Sequence, residues 1–185
     1  MTNEEVTALF QAFLENKSPG ADQFWWVYSS LTRPNTLHAD RLTDAQLAQL
    51  DGIARGNSEN PQAQVYQVMR GTKYTSIFPA DSKNPWINYY LATIAAEVSK
   101  KLEYLKIAME GNCGPAFMLR GSMYQQGQGT PRDNDKASQL YDTAIEYGSA
   151  YAMVHRAGFH LSGWSKNYVA AMALYWQAFT LGYDQ

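Results

Sequence analysis

Five apolar positions recur in one register twice along the chain, and that recurrence restricts the fold more than any other feature. Ala137, Leu140, Tyr141, Ala144 and Ile145 stand at i, i+3, i+4, i+7 and i+8, the spacing that gathers side chains on one face of an α-helix. Ala171, Leu174, Tyr175, Ala178 and Phe179 occupy the same five places 34 residues later. Each segment runs to a glycine seven residues past its tyrosine, Gly148 and Gly182, where a left-handed residue closes a helix at little cost. A third copy lies upstream, with Tyr104 and Gly111 again seven apart and Ile107-Ala108 standing where Ala144-Ile145 stand. Self-similarity at a fixed period of this length marks stacked helical units, each burying its apolar face against a neighbour. The expected class is all-α.

A second helix precedes each glycine-closed one. Arg120-Gly121 matches Ala157-Gly158, and Arg70-Gly71 stands before Tyr74 as Arg120-Gly121 stands before Tyr124. A glycine at this place is expected to let two helices approach closely. From Arg70-Gly71 to Arg120-Gly121 is 50 residues and the next interval is 37, so an insertion is expected near residues 76–99, as a longer helix or an added one. Polar caps followed by proline predict helix starts at Asn60-Pro61, Asn84-Pro85 and Gly114-Pro115. Thr2 with Glu5 and Thr43 with Gln46 have the spacing of capping boxes, opening segments of about 4–16 and 44–55. Residues 1–57 show helices without a repeat and are expected to cap the array, with Trp25-Trp26-Val27-Tyr28 filling the groove between terminal helices.

From Ala116 to Gly148 the chain reads Ala-x-x-Leu-Arg-Gly-x-x-Tyr-x-x-Gly-x-Gly-x-x-x-Asp-x-x-Lys-Ala-x-x-x-Tyr-x-x-Ala-x-x-x-Gly. Through Leu119, Gly121, Tyr124, Gly127, Gly129, Asp133, Lys136, Ala137, Tyr141, Ala144 and Gly148 it resembles the Sel-1-like repeat, a relative of the tetratricopeptide repeat. The unit over about 150–182 keeps Ala157-Gly158, Gly163, Ala171, Tyr175, Ala178 and Gly182 without the Gly-x-Gly loop, and the unit over about 58–111 is interrupted. The resemblance implies a superhelix of antiparallel helix pairs, about three over residues 58–185, with a concave face made by the first helix of each pair. It also implies that Gly127 and Gly129 turn the chain between paired helices, that Asp133 caps the second helix, and that the tyrosines and alanines pack the stack. On the family register Val68, Thr72 and Thr75, then Met118, Ser122 and Gln125, then His155, Phe159 and Ser162, face a partner in the concavity. Met118 and Phe159 would be its apolar anchors.

Composition removes other classes. The chain carries 15 basic and 17 acidic residues for a net charge of -2, and Lys100-Lys101 and Arg70/Lys73 are too sparse for a phosphate-tracking stripe, so no nucleic-acid partner is expected. Tyr124 or Trp164 could stack on single-stranded bases, yet the basic groove such binding uses is missing. The longest apolar runs fall far short of the roughly 20 residues that span a bilayer, so no membrane role is expected. Cys113, the single cysteine, excludes an intrachain disulfide and a cysteine-based zinc cluster. It is read as a small apolar residue and, with an opening Met1-Thr2-Asn3-Glu4-Glu5 unlike a secretory signal, points to the cytoplasm.

Chemistry is equally sparse. His155 and His160 are five apart, off the four-residue spacing of a helical zinc pair, and His38 sits in a loop-like Arg33-Pro34-Asn35-Thr36 context. Glu4-Glu5 and Asp133-Asn134-Asp135 suit helix N-termini, and the latter lacks the glycine and closing glutamate of a calcium loop. Gly127-Gln128-Gly129 has neither the preceding strand nor the following Lys-Ser/Thr of a phosphate loop. No catalytic residue, metal or cofactor is therefore expected. The function expected instead is binding to a protein, as an immunity protein or inhibitor that neutralises a bacterial toxin, or alternatively as a signalling or assembly adaptor.

Overall fold

The computed structural model describes residues 2–17, 21, 24, 42–71, 77–79, 81–162 and 166–180. Among them the chain forms nine helices and no strand: α1 (Asn3–Leu14), α2 (Asp44–Gly56), α3 (Pro61–Met69), α4 (Pro85–Ile94), α5 (Val98–Glu110), α6 (Gly114–Gln126), α7 (Asn134–Glu146), α8 (Ala150–Leu161) and α9 (Tyr168–Thr180).

The local start signals are realised as hydrogen bonds. Thr2 and Thr43 accept from the amides of Glu5 and Gln46, whose side chains accept from the amides of Thr2 and Thr43 in return. Asn60 and Asn84 each accept from two amides of the helix that follows, satisfying donors that a helix leaves orphaned. The third cap-proline start differs from expectation. Gly114 is already helical, and the cap position belongs to Cys113, which is extended and makes no side-chain cap bond. Cys113 is buried among apolar neighbours, as its reading as a small apolar residue requires.

Helix ends divide in the same way. Gly148 has φ of 82°, the left-handed closure that the sequence predicts, and Gly127, at 72°, ends α6 in the same conformation. Gly111 does not: its φ is -90°, and the left-handed residue is Asn112, at 57°. The glycine there answers to packing, since a Cβ on Gly111 would lie 2.6 Å from the Cβ of Pro85. Gly182 falls outside the described residues.

Residues 85–94 are a separate helix, α4, ended by the extended backbone of Ala95 and packed against α5. Three such couples follow one another, α4 with α5, α6 with α7 and α8 with α9, joined where α5 meets α6 and α7 meets α8. Tyr124 lies against Lys136 and Gly121 against Tyr141, so contacts step backwards along α7 as they step forwards along α6. The two helices are antiparallel. The glycine expected to bring helices together does so in one of three places. A Cβ on Gly121 would lie 2.8 Å from the Tyr141 ring, one on Gly158 would meet nothing, and Gly71 lies in a left-handed turn beyond the end of α3.

The core is built in two styles. Near the N-terminus Phe10, Phe13, Phe24, Tyr66 and Trp86 form a connected aromatic cluster with centroid separations of 4.8–5.0 Å between Phe10 and Phe24, Phe10 and Tyr66, Phe13 and Phe24, and Phe13 and Trp86. The Trp86 indole donates to Asn16 Oδ1 at 2.6 Å, and the Asn60 amide donates to the Leu14 carbonyl at 3.0 Å, tying the end of α1 to the starts of α3 and α4. Asp51 of α2 accepts from Arg70 and from the Tyr66 hydroxyl. Partial desolvation raises its carboxyl pKa, but these bonds outweigh it and hold the group below the usual value. Further on, the buried positions are mostly alanines, with Ala137, Ala144 and Ala152 fully covered around Tyr141 and Ala178 covered beside Ala150 and Met153. Residues 25–28, expected to cap the array, lie outside the described residues.

A candidate binding cleft between α6 and α8

The loop between α6 and α7 is set by its two glycines. Gly127 and Gly129 both adopt φ near 70°, and Gly129 lies directly on the Val98 side chain of α5, leaving no room for a Cβ. The Gln128 amide donates to the Met123 carbonyl at 2.8 Å and the Asp133 amide to the Tyr124 carbonyl at 3.0 Å. These donors close the helix, so the loop's geometry is that of a turn. Asp133 then caps α7 by accepting from the Lys136 amide at 2.9 Å. That backbone bond, with Lys136 beside it, lowers its pKa.

This turn sets Arg132 and Asn134 opposite α8, and a cleft of about 270 Å³ opens between them, lined by Gln125, Arg132, Asn134, Val154, His155, Gly158, Phe159 and Ser162. Behind this lining lies the buried Tyr141, whose hydroxyl donates to Gln125 Oε1 at 2.9 Å. The Tyr141 ring stacks on His155 at 5.3 Å and leans on Phe159 at 5.8 Å, while Tyr151 meets the other side of the contact set edge-on to His155 at 4.6 Å. Burial pushes the Tyr141 phenol up to about 12 and moves His155 below its usual value, favouring a neutral imidazole. Arg156 donates to Asp142 at 2.7 Å and approaches His160 at 3.4 Å, pinning α8 to α7. A wider hollow of about 430 Å³ lies along α1 and Gln49 of α2.

Four of the nine sequence-chosen residues, Gln125, His155, Phe159 and Ser162, meet in this cleft. Ser122 is half-buried one turn before it and accepts from Gln126. Met118 packs as a partly buried side chain against the Ala137–Tyr141–Ala144 cluster. Val68 is 8% exposed and belongs to the aromatic core, because α3 is wedged among α1, α2 and α4; it offers a partner almost nothing. Thr72 and Thr75 lie outside the described residues, as do His38 and Trp164. Arg132, Asn134, Val154 and Gly158 were missed. Gly158 carried the one readable signal, a glycine inside a helix next to a chosen position.

The remaining chemical alternatives meet physical obstacles. Arg120 lies over the Tyr124 ring at 4.3 Å and Lys136 at 5.6 Å, occupying the aromatic surface a nucleobase would use. The Ser162 hydroxyl donates back to the Phe159 carbonyl at 3.0 Å, so it is not held by His155 as a nucleophile is by its base. No three His, Cys, Asp or Glu side chains gather as a metal site among the described residues, and none of the described helices is long and apolar enough to cross a membrane.

A file of antiparallel helix couples with an open cleft between successive first helices defines a helical repeat protein. No family model and no curated protein matches the sequence. The structure is similar to a crystal structure of a Sel1 repeat protein from Oxalobacter formigenes, with a TM-score of 0.56 and 19% identity, over 98% of this chain and 70% of that one. The fold is that of a Sel1 repeat protein.

Proposed function

We propose that the chain is a non-catalytic module that binds a partner protein in the cleft between α6 and α8. The observation that carries this reading is the convergence of Gln125, His155, Phe159 and Ser162 from two successive first helices on one open cleft. Its size is just below the roughly 300–1,000 Å³ of small-molecule pockets, and it is suited to one or two side chains projecting from a larger surface. An aromatic ring with a neutral imidazole, amide and hydroxyl around it offers both apolar contact and directional bonds. On the repeat resemblance, the partner is a bacterial toxin and the chain its cytoplasmic immunity protein or inhibitor. The second reading is an adaptor that holds a signalling or assembly partner in the same cleft.

Gly158→Leu is the cleanest probe, because a Cβ added there has nothing within 4 Å and Gly158 lines the cleft. Co-purification from the native host should recover one dominant protein with the wild-type chain, and Gly158→Leu should lose it. Retention by Gly158→Leu would place the partner elsewhere. If the recovered partner kills cells when expressed alone, and the chain rescues them, the inhibitor reading stands; a harmless partner would leave the adaptor.

A further inference from the structure

The α9 helix carries exposed apolar side chains where the matching places of α7 are mostly polar. Tyr168, Val169, Met172, Tyr175, Trp176 and Phe179 of α9 are all large and exposed, from 40% for Tyr175 to 80% for Val169. At about 100° per residue they fall within roughly a third of the helix circumference. The 34-residue register makes the departure explicit. Asp135, Ser138 and Asp142 of α7 become Val169, Met172 and Trp176 in α9, and α9 carries no charged side chain, whereas α7 carries Asp135, Lys136, Asp142 and Glu146. Tyr175 stands where Tyr141 stands, yet Tyr141 is fully buried because His155 and Phe159 of α8 lie on it. The expectation that every repeat tyrosine packs the stack therefore fails at Tyr175, which is 40% exposed.

We propose that this face of α9 is the seam of a homodimer, in which the same face of α9 of a second copy covers it. Two observations favour a second copy. A two-fold interface sets one patch against itself, so charges of one sign on it would be brought together and left to repel near the axis, and α9 has none. The area also fits: side chains of these sizes at these exposures present on the order of 700 Å², close to the ~800 Å² per partner of a standard stable interface and above the few hundred Å² that monomers usually leave as one apolar patch. Trp176 and Phe179, 5.6 Å apart, form its aromatic part. None of the six residues lines the cleft between α6 and α8, so dimerisation and partner binding use separate surfaces.

Sedimentation equilibrium of the 185-residue chain at tens of micromolar tests this, with circular dichroism as the control for folding. The expected mass is twice the 20.8 kDa of one chain, falling to the single-chain value in Met172→Glu/Trp176→Glu with the helical signal kept. Val169→Lys, at the most exposed position, should weaken the dimer in the same direction and serves if the double variant unfolds. A wild-type chain of single mass would overturn the proposal and leave α9 to a helix of a different protein. A dimer that survives in folded variants would place the seam elsewhere, and masses growing beyond two would replace the two-fold by head-to-tail stacking.

Discussion

The region from α1 to α4 and the region from α6 to α9 solve the same problem, burying helix faces, with opposite materials. The first uses large rings that meet edge and face, with polar side chains such as Asn16, Asn60 and Asp51 fixing the joints. The second uses alanines around the single buried Tyr141, so that backbones come close and the fit depends on what is absent. Large rings give irregular, specific packing that no period describes. Small residues give packing that can be repeated, and repetition is what opens equivalent first helices onto one cleft. The two regions should fail in different ways when mutated: the aromatic one by losing volume, the alanine one by gaining it.

The largest effect should come from Trp86→Ala. Trp86 is 1% exposed, meets Phe13 in a T-shaped contact and ties α4 to Asn16, so its removal leaves a cavity among rings and an unpaired amide oxygen. Substitutions of this kind cost about 3–5 kcal/mol, measurable by urea denaturation. A loss below about 1 kcal/mol would show that the aromatic cluster is not the keystone of that region.

In the alanine region the converse substitution is Gly121→Val. Its Cβ would stand 2.8 Å from the Tyr141 ring and 3.2 Å from the Ala137 carbonyl, and overpacking of this order costs about 1–3 kcal/mol. The same denaturation experiment reads it. A neutral result would mean that α6 and α7 can slide apart freely, against the close approach the fold shows.

A smaller effect separates the regions by pH. Burial raises the Tyr141 phenol to about 12, above the value of about 10 it has when exposed. The group favours the folded state fully below pH 10, and that contribution is lost as pH rises from 10 towards 12, because the unfolded chain ionises first. Tyr141→Phe removes this titration together with the bond to Gln125, at a cost near 1 kcal/mol below pH 10. Ultraviolet titration should then lose one late-ionising tyrosine. If the high-pH phase persists in Tyr141→Phe, another phenol is responsible.

How much of this was legible follows from the range of the forces involved. The capping boxes of Thr2 and Thr43 and the Asn-Pro starts were readable because each is a hydrogen bond across three residues. Gln125, His155, Phe159 and Ser162 were readable because a repeat register places them. Gly111 was misread because its reason, Pro85, lies 26 residues away in sequence, and Val68 because the aromatic packing around α3 obeys no period. Arg132 and Asn134 reach the cleft through a turn whose direction only its two left-handed glycines decide. Tyr175 keeps the register of the buried Tyr141, and a register does not state what lies against a side chain.

The smallest expected effect tests that last point at one pair of matched positions. Gly121 and Gly158 occupy the same place in successive units, but Gly121 is buried under a ring whereas a Cβ on Gly158 would enter open space. Alanine at an unobstructed position inside a helix stabilises it by about 0.5–1 kcal/mol relative to glycine, through the entropy of the unfolded chain. Gly158→Ala should therefore raise the denaturation midpoint slightly while Gly121→Ala lowers it. The opposite signs at equivalent positions would show that glycine is kept at 121 for packing and at 158 for the room it leaves in the cleft. Equal signs would remove the distinction, and with it the argument that the cleft is shaped by Gly158.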